Sequence, residues 1–137
     1  MLSWADQQIL LTGDIEAGAE REILKANSLP DSSITALVAP HHGSKTSSLR
    51  GFVAATNPRH VIFSSGFRHH FGHPHEDVVN RYKTVKSSIW KTSEQGAITL
   101  TWSNKEDLVV VGQRERPVTS CLSCSAWWRH PVAPNGP

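Results

Sequence analysis

The chain has 137 residues, 38% of them hydrophobic and 19% charged, with a formal net charge of +2; that suits one globular domain with a real core, excludes a disordered chain, and is too short for two comfortable domains. The mild basic excess is compatible with an anionic substrate but does not by itself point to nucleic acid. No apolar run approaches the ~20 residues of a membrane helix, the N-terminus MLSWADQQILLTGD lacks the pattern of a signal peptide, and two neighbouring cysteines, Cys121 and Cys124, do not make a disulfide framework.

Gln8 to Thr12 is a short apolar run ending at Gly13-Asp14, the pattern of a buried strand opening into a loop. From Glu16 to Asn27, Ala19, Ile23, Leu24 and Ala26 recur at helical spacing among charges. Glu16 lies in the first turn and Lys25 near the end, as the helix dipole prefers. Ile34 to Ala39 predicts a second strand, closed by Pro40. Ser47-Ser48 begins a second amphipathic helix through Leu49, Phe52, Val53 and Ala54, stopped before Asn57-Pro58. His60 to Ser64 predicts a third strand, and Pro74 to Val85 a third helix with Pro74 near its first turn. Ser88 to Lys91 and Ala97 to Trp102 are β-type runs joined by Ser93 to Gly96, and Leu108 to Val111 is one more strand. The order β-α-β-α-β-α followed by antiparallel hairpins predicts an α/β protein with helices layered on a sheet.

Seven of the eight histidines fall between residues 41 and 75. Three motifs each follow a predicted strand: Thr12-Gly13-Asp14, Pro40-His41-His42-Gly43-Ser44 and Gly72-His73-Pro74-His75. Loops at the carboxyl ends of strands in an open α/β sheet converge on one crevice. One carboxylate and several imidazoles arriving there suit a divalent transition ion such as Zn, Mn or Fe, which can polarise a phosphodiester. Singly, each motif has an ordinary reading: a turn at Gly13-Asp14, a pair of loop histidines, a helix entrance with exposed imidazoles.

The runs LLTGD, APHHGSKTSS, FGHPHEDVVNRYK and GAITLTW, in this order over roughly residues 6 to 103, resemble the C-terminal metallo-β-lactamase-like domain of the ComEC family of competence proteins. That family comprises bacterial inner-membrane DNA-uptake proteins whose appended domain is thought to be a nuclease. The resemblance implies a metal-dependent phosphodiesterase on an αββα sandwich, with Zn or Mn as cofactor and single-stranded DNA and a membrane channel domain as partners. It implies Asp14 and His73 as metal ligands and divides metal binding and proton transfer to the leaving alkoxide between His42 and His41, with His42 taken for the metal, His41 for the proton, and the reverse as the alternative. Ser44, Lys45 and Thr46 would contact phosphate, with a solvated loop as the alternative. His75 would support the ligands or cap a helix.

The family's first metal motif, a His-x-Asp-x-Asp-His or His-x-His-x-Asp-His loop, lies well upstream of the matching Asp, whereas only thirteen residues precede Asp14 and none is His. The expectation is therefore a C-terminal half of the fold over residues 1–112 and an irregular tail over 113–137. Its metal site would be incomplete, its metal binding weakened, and its sheet left with an apolar face for the missing half or another partner to cover. A non-catalytic remnant binding DNA or a partner is the alternative. Within the tail, Cys121 and Cys124 have metal-knuckle spacing with His130 following, but lack a second cysteine pair. Trp127-Trp128 beside Arg129 read as part of an unstructured extension, with stacking on bases as the alternative.

Overall fold

A computed structural model describes residues 1–4, 6–30, 33–67, 71–102 and 108–115; the Cys121–Cys124 and Trp127–His130 features lie outside the described residues. Four strands, β2 (Gln7–Leu11), β3 (Ala36–Val38), β4 (His60–Phe63) and β5 (Ser88–Lys91), run parallel in the order of the chain. Helices α1 (Ala17–Lys25), α2 (Arg50–Thr56) and α3 (Glu76–Thr84) make the crossovers. Right-handed crossovers between strands laid down in unbroken order carry every helix to the same face of the sheet. On that face Leu37, Val61 and Phe63 meet Val53 of α2 and Val78, Val79 and Tyr82 of α3 in the main core. At the far edge β1 (Leu2–Trp4) adds an antiparallel strand to β2.

The opposite face follows from the period of two along each strand. Ile9, Ala36 and Ile62 point there, and a separate hairpin, β6 (Ile98–Thr101) with β7 (Val109–Gly112), lies against them through Ile98 and Leu100. Trp90, Trp102 and Leu108 join this second cluster. The bared apolar face expected from sequence is thus covered in part by the chain's own hairpin, because that hairpin carries an alternating apolar stripe. Leu2 and Leu11, on the same face at the β1–β2 edge, are the portion still more than half exposed.

Three expectations are corrected. Ser88–Lys91 is not the first arm of a hairpin with 97–102: it pairs parallel to β4, since α3 supplies the crossover a parallel partner needs. A helical turn, α4 (Thr92–Gln95), then separates it from β6. Helix α2 starts at Arg50 rather than Ser47-Ser48, because Ser48 takes a left-handed φ of 56° that no helix interior accepts. Pro74 lies outside α3, whose N-cap is His75. Gln113–Glu115 form a 3₁₀ turn, with Arg114 donating to the carbonyls of Ser93 and Glu94. No helix among the described residues is long and apolar enough to cross a membrane.

Candidate functional site

The loops after β2, β3 and β4 all leave the sheet at its carboxyl edge, and backbone hydrogen bonds tie them together. His41 N–H donates to the Gly13 carbonyl at 3.0 Å, Ala17 N–H to Thr46 at 3.0 Å, and His75 N–H to Gly43 at 2.9 Å. Thr12 Oγ1 adds a bond to the Val38 carbonyl at 2.7 Å. The middle loop turns sharply: His41 and His42 are both left-handed, with φ of 47° and 56°, and Gly43 follows at 82°. Left-handed backbone costs roughly 1–2 kcal/mol at each non-glycine residue. Strain of that kind persists only where surrounding contacts impose it, and it clusters at functional sites.

Gly43 shows what imposes it here. A β-carbon at this position would stand 2.7 Å from Cδ1 of Phe63 and 2.7 Å from Cβ of Pro74. The loop therefore sits directly on the core ring of β4 and on the Gly-His-Pro-His segment. Below it, the fully buried Glu20 accepts from the N–H groups of Ser48 and Leu49 at 2.5 and 2.7 Å. The Ser48 hydroxyl meets the Tyr82 hydroxyl at 3.0 Å, and Arg81 Nη1 donates to the carbonyls of Ser47 and Ser48. Burial pushes the Tyr82 phenol well above its usual range, so it stays neutral as this contact requires. Glu20 and Tyr82 went unremarked as site residues in the sequence, since Glu20 looks like one more charge on α1 and Tyr82 like one more core residue on α3.

The chemistry-bearing residues gather above this base. His42 Nε2 stands 3.4 Å from Asp14 Oδ1. The His41 ring centroid lies 6.4 Å from that of His42 and 6.1 Å from that of His73, and His73 is stacked with Phe71. Asp14, His41, His42 and His73 are thus at one locus. His75 is set apart by its work as a cap, its Nδ1 accepting from Asp77 N–H at 3.3 Å. Of the three loop residues expected to meet phosphate, Lys45 and Thr46 are exposed and Ser44 is buried, its hydroxyl 3.1 Å from that of Thr46. Thr46 in turn donates to Glu16 at 2.9 Å.

Two donors on one tetrahedral ion, each ~2.0–2.2 Å from it, lie ~3.3–3.5 Å apart. The Asp14–His42 separation fits that edge, and a carboxylate with imidazole is a fitting donor pair for Zn or Mn. Among the described residues no group of three or more His, Cys, Asp or Glu stands close enough to enclose an ion. Asp14 and His42 thus have the spacing of two such donors, and enclosing an ion would take further ligands.

With this geometry established, known proteins can be set beside it. The chain is 30% identical over 104 residues to ComE operon protein 3 of Bacillus subtilis, a match covering 76% of this chain and 12% of that protein. It is 34% identical over 91 residues to competence protein ComA of Neisseria gonorrhoeae, covering 66% of this chain and 13% of the relative. Recombination protein 2 of Haemophilus influenzae is 34% identical over 94 residues, covering 69% and 11%. This chain thus has competence proteins among its relatives. It spans only about an eighth of their length. Neither a protein-family profile nor a solved structure matches it.

Proposed function

We propose that this chain is part of a metal-dependent phosphodiesterase acting on single-stranded DNA within a DNA-uptake protein. Residues 1–112 would be the C-terminal half of a metallo-β-lactamase-like domain and 113–137 a tail beyond it. The observation that carries the proposal is the meeting of Asp14, His41, His42 and His73 at the carboxyl edge of a parallel sheet. The similarity to competence proteins supports DNA as the phosphodiester.

In this reading Asp14 and His42, with His73 from the third loop, would hold a Zn or Mn ion, which when bound polarises the phosphoryl oxygen and favours hydroxide at neutral pH. The chain's own groups do the rest. His41, next to these donors but not spent on Asp14, carries the proton to the alkoxide as its bond to phosphorus breaks and the bond from the attacking water forms. Lys45, exposed on the same loop, offers an ammonium to a flanking phosphate. His75 anchors the start of α3, fixing the segment that carries His73.

The test is turnover. Incubation of the chain with single-stranded DNA and Mn²⁺ or Zn²⁺ is the assay, and cleavage that chelator stops supports the reading. Asp14→Ala should reduce it by more than the roughly 10–100-fold that loss of a supporting residue costs. Absence of cleavage, or equal cleavage by the variant, removes the enzyme reading. DNA affinity that survives chelator and falls steeply with salt would then identify a non-catalytic binding remnant.

A further inference from the structure

Glu16 occupies the N-cap of α1, yet its side chain makes no capping bond there. It turns instead toward the histidine loop. Its Oε1 accepts from Thr46 Oγ1 at 2.9 Å and stands 3.1 Å from Nδ1 of His41. That nitrogen is buried and makes no completed hydrogen bond among the described residues. A buried ring nitrogen without a partner is costly, and the Glu16 carboxylate stands within hydrogen-bonding distance of it. The backbone is already arranged for it: His41 N–H is pinned to Gly13 and Thr46 C=O to Ala17 N–H, which brackets Glu16 between two fixed points.

We propose that Glu16 is the positioning residue for His41: its carboxylate accepts a hydrogen bond from Nδ1–H, holds the ring, and leaves Nε2 as the nitrogen open to the site. A carboxylate behind an imidazole fixes tautomer and orientation in hydrolytic sites generally. Thr46 is the second support, because its hydroxyl keeps the carboxylate from swinging to solvent. The use of Nε2 in catalysis rests on the phosphodiesterase reading; the Glu16–His41 pairing does not.

The experiment is long-range ¹H–¹⁵N correlation of the histidine rings in the full chain, recorded with the imidazoles neutral. The wild-type spectrum is expected to show His41 with its proton on Nδ1. Glu16→Ala should move the tautomer ratio toward Nε2–H by on the order of fivefold, the equilibrium counterpart of one ordinary hydrogen bond. Glu16→Gln, which retains an acceptor oxygen, should restore the wild-type pattern, and Thr46→Ala should give a partial shift. A wild-type His41 carrying its proton on Nε2 overturns the proposal outright. So does a ratio unmoved by Glu16→Ala in a chain whose other amide signals are unchanged. Should Glu16→Ala fail to fold, the wild-type and Thr46→Ala spectra still decide it. Since no catalysis is measured, an inactive chain with the expected tautomer would refute the phosphodiesterase reading and leave the pairing standing.

Discussion

Replacement of Gly43 by alanine tests whether the histidine loop is seated as described. At φ +82° any L-residue is strained, by roughly 1–2 kcal/mol. The added methyl carbon would also meet Cδ1 and Cε1 of Phe63 at 2.7 and 2.8 Å and Cβ of Pro74 at 2.7 Å. Phe63 is fully buried among Val61, Tyr82 and Val78 and has nowhere to retreat, while Pro74 is held by its ring. Overpacking of a closed core adds roughly 1–3 kcal/mol. The sum, roughly 2–5 kcal/mol against a typical stability of about 5–15 kcal/mol, is a loss that most domains of this size would register strongly. In thermal unfolding followed by circular dichroism it corresponds to about 8–20 °C in Tm, at about 4 °C per kcal/mol. Gly18→Ala is the matched control: it lies within α1 with nothing within 4 Å of the added carbon, and should stabilise the chain by about 0.5–1 kcal/mol. A Gly43→Ala protein melting within a few degrees of wild type would refute the claim that this loop is pressed onto Phe63 and Pro74.

Glu20→Ala should cost about 2–5 kcal/mol in urea unfolding, because it strands the N–H groups of Ser48 and Leu49 that the carboxylate now accepts. An effect below about 1 kcal/mol would mean the loop is held without it. His60 is shifted below its ordinary pKa by burial and then by Arg59, and its Nδ1 accepts from Trp90 Nε1. Protonation is therefore harder in the folded chain, so the stability His60 contributes is present above its ordinary value and is lost as pH falls through its folded value. Unfolding free energy should decline as pH is lowered from neutrality, and His60→Asn should flatten the decline; an unchanged slope would place its cause elsewhere. Phe63→Ala, removing a fully buried ring that packs edge-on against Tyr82 and under the loop, should cost about 3–5 kcal/mol by the same urea measurement.

The parallel core was legible because strands buried on both faces read as short apolar runs such as Ile34–Ala39 and His60–Phe63, with amphipathic segments between them. The convergence of three strand-end loops followed from that alternation, and it brought Asp14 to His42 and His41 to His73. What escaped the sequence depends on contacts between distant residues. The amides of Ser48 and Leu49 leading into α2 are held by a carboxylate 28 and 29 residues upstream, so Ser47-Ser48 mimics a local cap that the fold does not use. The pairing of β5 with β4 is likewise a tertiary choice, and β1 has too few residues to show any period. Glu16 read as an acid favoured by a helix dipole; only the fold shows it facing His41 rather than the amides of its own helix.

Paramagnetic broadening by Mn²⁺ reports directly on the proposed ion-binding point shared by the loops after β2, β3 and β4. Substoichiometric Mn²⁺ added to ¹⁵N-labelled chain should broaden the amides of residues 13–16 and 41–44 together with those of Gly72, His73 and His75, and Asp14→Ala should abolish the effect. Broadening centred elsewhere, for instance on Cys121, Cys124 and His130, or confined to just one of the three loops, would contradict it.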